Sequence, residues 1–181
     1  NYTFYVPHDI DGLKRLMGGE KKFAAKLRNV FDEIFYDPAN EPDITYPYLF
    51  AQVKGEEWRT DSLVNSLLKK YFKNQPDGIP GNDDTGTMSA WAVFSMMGLY
   101  PDCPGIPRYT LVAPIFDKII LHLDPRYYTQ DTLVIECERP SPKAIYTDRI
   151  TVNGKKHKGR FISHEDLVNA GTIRFTLTEK K

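Results

Sequence analysis

The sequence predicts a mainly α chain with a C-terminal β part: helices first, then a small antiparallel β region. Three observations carry this. Apolar residues recur at helical spacing up to Gly98. From Phe116 onward, β-branched residues and alternating patterns dominate. Between them, Tyr100–Pro107 holds three prolines and one glycine and reads as a linker. A boundary there divides a helical part, 1–105, from a β-rich region, 106–181. Helices followed by strands argue for two layers or two domains rather than βαβ units.

The elements follow in order. Asp11–Met17 is short and amphipathic, and Gly18-Gly19 stops it. Residues 20–36 carry a broad apolar stripe of Phe23, Leu27, Val30, Phe31, Ile34 and Phe35, ended by Asp37-Pro38. Tyr46–Val53 begins another helix with Pro47 in its first turn. Thr60 or Asp61 caps the next, where Leu63, Val64, Leu67, Leu68, Tyr71 and Phe72 recur. Asn74–Asn82 is a loop, and Met88, Trp91, Ala92 and Met96 mark a helix ending near Gly98. Strands are expected at Phe116–Leu123, Thr132–Cys137, Ile145–Val152 and Thr172–Leu177. Asn153-Gly154 is a hairpin turn, and Ser163 to Asp166 caps a brief turn around Leu167. The paired helices can be stacked hairpins of a helical toroid, but periodicity says nothing of closure.

Composition narrows the function classes. Lys plus Arg and Asp plus Glu both number 24, so the formal charge is zero. A zero balance, read as the absence of any basic run, argues against a nucleic-acid or anionic-membrane surface. Eleven Tyr and ten Phe suit a large core and equally the packing of sugar rings on aromatic planes. Cys103 and Cys137 have no CxxC or zinc spacing. No long apolar span is present for a membrane crossing. The opening, Asn1 to Asp9, is rich in aromatics and reads as the middle of a longer protein.

Three loops hold groups able to do chemistry: His8-Asp9, Asn40-Glu41 with Asp43, and Asn82-Asp83-Asp84. The last lies in a Gly/Pro-rich loop, Gly78 to Gly86, that can take positive φ and approach a ligand closely. Adjacent carboxylates persist where a cation, an arginine or a helix N-terminus compensates them. They are therefore either a solvated turn capping a helix, or a metal-ligand or general-base carboxylate on a rigid turn. The spacing is not that of an EF-hand. No GxSxG elbow and no Walker loop is present. Carboxylates without a nucleophile suit hydrolysis by an activated water, as in glycosidases. Trp58 reads as core or rim rather than a sugar platform.

Four stretches resemble the C-terminal part of the family 92 glycoside hydrolases, the calcium-dependent exo-acting α-mannosidases. They are Tyr5-Val6-Pro7-His8-Asp9 with Gly12-Leu13 and Met17-Gly18-Gly19; Asn40-Glu41-Pro42 with Tyr46 and Tyr48-Leu49; Pro76 to Asp84 with Gly86 and Met88-Ser89-Ala90-Trp91; and Phe94, Gly98 and Tyr100-Pro101. The resemblance covers about the first 125 residues well, and its specificity lies in the order and spacing of several motifs together. It implies part of an (α/α)6 catalytic barrel, an inverting mechanism, a calcium ion, a mannose-containing glycan as substrate, and a secreted or periplasmic location. Asp83 and Asp84 match the acidic pair that supplies the base and touches calcium, with Asp84 the preferred base. Asn82 joins them at the metal. Glu41, Asn40 and His8 fall at substrate-binding positions. The family's catalytic acid is a glutamate just upstream of the stretch that begins here at Tyr2, so this sequence lacks it and is expected to be inactive alone. Its partner would be the N-terminal part of the same protein. Many members also follow Asn-Glu-Pro with Ser-His-His-like residues, where Asp43-Ile44-Thr45 stand here, a departure that bears on linkage preference. The reading from another class is a non-catalytic carbohydrate- or calcium-binding module.

Overall fold

The computed structural model describes residues 2–181. Five helices precede the strands: α1 (Ile10–Leu16), α2 (Glu20–Asp32), α3 (Tyr46–Leu49), α4 (Glu57–Tyr71) and α5 (Thr87–Met97). Then come β1 (Leu99–Tyr100), β2 (Arg108–Leu111), β3 (Lys118–His122), β4 (Thr132–Glu138), β5 (Tyr146–Val152), β6 (Lys155–Lys156), β7 (Phe161–Ser163), α6 (His164–Val168) and β8 (Thr172–Thr178). Among the described residues no helix is long and apolar enough to cross a membrane.

The strands form two sheets. One has the order β1-β2-β7 and the other β3-β4-β8-β5-β6. The larger sheet is mixed, which corrects the expectation of an antiparallel region: β8 runs parallel to β4 and antiparallel to β5. Local alternation reveals a strand but not its partner. Here the chain leaves β4, builds β5 to α6, and returns to insert β8 between the two. Leu133, Ile135, Ile150, Ile173, Phe175 and Leu177 face one core, and the alternate residues of β8 face solvent. The hairpin at Asn153-Gly154 forms as its sequence predicts, both residues having positive φ.

The helical side has two apolar clusters, one around Phe4, Phe23, Leu27, Tyr46 and Phe50, the other around Tyr48, Val64, Leu68, Met88 and Trp91. Three expectations need correction. First, α2 ends at Asp32; the chain turns out through Ile34 at φ 60°, so Ile34 and Phe35 lie beyond the apolar stripe and are exposed. Second, α4 starts at Glu57, ahead of Thr60 and Asp61, and both are buried inside the helix. Third, Tyr100–Pro107 is not a free linker but the loop joining β1 to β2, with Asp102 and Cys103 buried. Both cysteines are free.

Asp61 joins the helices to the strands. Only 1% exposed, its carboxylate accepts from Ala113 N at 2.8 Å, from Thr147 N at 2.9 Å, and from the Arg160 guanidinium at 3.2 and 2.8 Å. Burying a carboxylate is costly unless it is paired and hydrogen-bonded, and here both conditions are met. Trp58, one turn before, is half-buried at the rim: Tyr146 packs edge-on to it and the Arg59 and Lys181 cations stand over its ring.

Candidate active site

The loop before α5 is built by its turn residues. Asp84, Thr85 and Gly86 are successive left-handed residues, with φ of 34°, 59° and 91°. Gly86 adopts this freely; for Asp84 and Thr85 it costs roughly 1–3 kcal/mol each. The Asp84 carbonyl balances part of that cost by accepting from Thr87 N, Thr87 Oγ1 and Thr85 Oγ1.

The two neighbouring carboxylates diverge. Asp83 turns to the start of α5 and accepts from Ser89 N at 2.8 Å and Ser89 Oγ at 2.7 Å. Those bonds, the backbone one first, hold its carboxyl below the usual 3.8. A depressed folded pKa means stabilisation that is complete above 3.8 and lost as pH falls through the folded value. Protonating Asp83 is therefore expected to release Ser89, and amide exchange at Ser89 should accelerate in that acid window and not above it. Asp84, by contrast, is exposed, and its carboxylate makes no hydrogen bond or ion pair among the described residues. Asn82 is exposed as well, with its side-chain amide unengaged.

The Asn40-Glu41 loop lies against this turn. Gly81, at φ 82°, packs so closely on Ala39 that an added Cβ would come 2.8 Å from the Ala39 Cβ. Trp91 of α5 donates to Ile44 O at 2.8 Å, gripping the chain just past the short 3-10 turn Glu41–Asp43. Asp43 is wholly buried and accepts from Asp37 N at 3.0 Å and Asn40 Nδ2 at 3.1 Å; burial raises its pKa. The Asn40 amide is thus committed to holding its own loop. Glu41 is half-buried with no hydrogen-bonded partner among the described residues, and its negative charge reaches Tyr100, whose phenol is raised chiefly by burial.

His8 is exposed, has no hydrogen bond or ion pair among the described residues, and lines a cavity of about 520 Å³ with Asp9, Leu13 and Arg15. Asp9 caps α1 through Gly12 N at 2.7 Å. So the structure brings the second and third loops together, and the first opens α1.

The aromatic residues of the sequence motifs support these loops from below. Tyr48 stacks on Tyr100 with ring centroids 4.2 Å apart, meets Trp91 at 6.3 Å, and bonds Ser95 at 2.5 Å. Sequence reasoning missed Asp102, wholly buried behind Tyr100, where Gln52 Nε2 donates to it at 2.6 Å and Arg108 lies 3.9 Å away. Burial raises its pKa. A lone Asp in a proline-rich stretch carries no signal of that burial.

The hard oxygens of Asn82 and Asp84 are of the type calcium takes. Among the described residues no three His, Cys, Asp or Glu side chains converge to hold a metal ion.

Residues 1–179 match the glycosyl hydrolase family 92 catalytic domain. An uncharacterized secreted glycosidase of Arthroderma benhamiae is 31% identical over 178 residues, 98% of this chain and 23% of its own length. The structure of a family GH92 α-mannosidase from Bacteroides thetaiotaomicron superposes with a TM-score of 0.89 at 28% identity, covering 99% of this chain and 24% of that one. That protein has also been solved in complex with mannoimidazole. A family GH92 inverting mannosidase from the same bacterium superposes at 0.85 and 28% identity, covering 99% and 27%. The chain spans about a quarter of the length of these relatives. The matched domain and the shared architecture agree from one end to the other, and the chain belongs to glycosyl hydrolase family 92 as a segment of its catalytic domain.

Proposed function

We propose that this chain is the base-bearing segment of a calcium-dependent, inverting exo-α-mannosidase acting on mannose-containing glycans, with α1 to α5 forming part of an (α/α)6 barrel. The observation that carries the proposal is Asp84: an exposed carboxylate with no partner among the described residues, on a left-handed turn beside the loop that presents Glu41. Inversion needs a carboxylate that takes a proton from water on the face opposite the leaving group. Asp84 is available for that task. Asp83 holds the turn through Ser89, and whatever it adds at the metal or the reacting centre comes second to that. Glu41 hydrogen-bonds sugar hydroxyls, Asn40 keeps its loop in place, and His8 contacts substrate from the α1 side.

Calcium would be held in part by Asn82 and Asp84. It takes about six to eight oxygens, so water, substrate and catalytic-domain residues outside this chain complete the set. When bound it supplies charge and a template for sugar hydroxyls. The general acid comes from the same outside residues, and a missing general acid alone costs ~10²–10⁴ in rate. A secreted or periplasmic location accompanies the proposal, in line with the secreted fungal relative.

The test is mannose release from an α-linked mannobiose. The full-length protein containing this chain is expected to release mannose with calcium and to stop with a chelator. The isolated 181-residue chain is expected to release none in either condition. Silence from the full-length protein in both conditions would overturn the assignment.

A further inference from the structure

A second cavity, of about 460 Å³, lies away from the loops described above, between the first turn of α4, strand β5 and the segment that follows β6. The balanced formal charge conceals what lines it. Lys155 to Arg160 is a basic run, Lys-Lys-His-Lys-Gly-Arg, passed over when the charge of the whole chain is read as zero.

The register explains why cations gather here. Arg149 of β5 lies opposite Thr176, on the solvent face of the sheet, and Thr151 lies opposite both Arg174 and Lys156. Arg149 and Lys156 therefore share a face. Lys158 and Arg160 enter from the following segment. Arg160 is neutralised by Asp61, but Arg149, Lys156 and Lys158 have no ion pair among the described residues. Of the two carboxylates in the lining, Glu57 already accepts from Gly55 N at 2.7 Å, leaving Asp148 as the unengaged anion.

The backbone adds donors. Gly159 has φ 79°, and the N–H groups of Lys158, Gly159 and Arg160 make no hydrogen bond among the described residues. His157 Nε2 donates to Phe161 O at 2.9 Å, which leaves Nδ1 unengaged. Successive free amides in a glycine turn, with cations beside them, are how proteins hold oxyanions.

We propose that this cavity is a binding site for a tetrahedral oxyanion, a phosphate or sulfate either free in solution or carried on a sugar. Arg149, Lys156 and Lys158 supply the charge, and the Lys158–Arg160 backbone the directional donors. The site is independent of mannoside hydrolysis.

The test is a TROSY NMR titration of the full-length protein containing this chain, with inorganic phosphate, mannose 6-phosphate and mannose in separate arms and sodium chloride at matched ionic strength as control. Phosphate is expected to shift the Trp58 indole and the amides of residues 147–160 saturably, with a Kd of about 1 mM or tighter. Tighter binding of mannose 6-phosphate would mark a sugar as the carrier; equal binding would mark the free ion. The double variant Lys156→Gln/Lys158→Gln changes two exposed side chains and is expected to weaken binding about tenfold or more. The proposal is overturned if phosphate does not saturate, if chloride reproduces the shifts, if mannose binds as well as its phosphate, or if the double variant binds unchanged.

Discussion

Replacing Asp61 by alanine is expected to lower the unfolding free energy by about 3–5 kcal/mol, because the change leaves the buried Arg160 cation uncompensated. Two backbone donors, Ala113 N and Thr147 N, lose their acceptor in the same step. Against a total of about 5–15 kcal/mol for an ordinary domain, that brings the chain near its folding threshold. Urea unfolding followed by circular dichroism measures it. Arg160→Met alone should cost less, since Asp61 keeps its two amide donors. The double variant Asp61→Leu/Arg160→Met should cost less than the sum of the two single changes, because it buries no lone charge. A loss from Asp61→Ala below about 1 kcal/mol would place the pair in the class of surface ion pairs and sink the argument.

Asp84→Asn, made in the full-length protein, is expected to reduce mannose release by ~10²–10⁴-fold. Asparagine keeps the side-chain size and tolerates left-handed backbone, so the turn survives while the base is lost. The loss should fall on kcat with KM little changed, as for a group that acts in the transition state. Asp84→Gly sharpens the test: it relieves the strain at φ 34° and is expected to raise the thermal midpoint while activity stays absent. Activity retained in either variant would move the base elsewhere, with Asp83 the next carboxylate to substitute.

The helical part was legible where a residue's neighbours in sequence decide its state. Phe23 and Leu27 are buried as their spacing predicts, Gly98 ends α5 at φ 86°, and Ser163 caps α6 through Asp166 N. Gly98 also shows what sequence leaves out, since an added Cβ would meet Val112 O at 2.7 Å, a contact from another element. The errors share one cause. In sequence Asp61 reads as a helix cap because Asp caps helices, but its acceptor role serves Arg160, far along the chain. Asp102 looked like a linker residue because its Gln52 partner is equally remote. The acidic pair was legible as a pair. The division of labour between Asp83 and Asp84 was not, because it depends on which carboxylate turns toward Ser89.

The place of β8 within its sheet bears on how the protein is made. Strands β4 and β5 lie on either side of it and do not pair with each other. A ribosome delivers both before residues 172–178 exist. Until then each exposes an unpaired edge, the kind of surface on which nascent chains associate wrongly. The helices have apolar clusters of their own and can collapse first, while the sheet waits for its central strand. A chain cut before Thr172 would leave both edges open for good, and aggregation rather than a smaller folded unit is the result to look for.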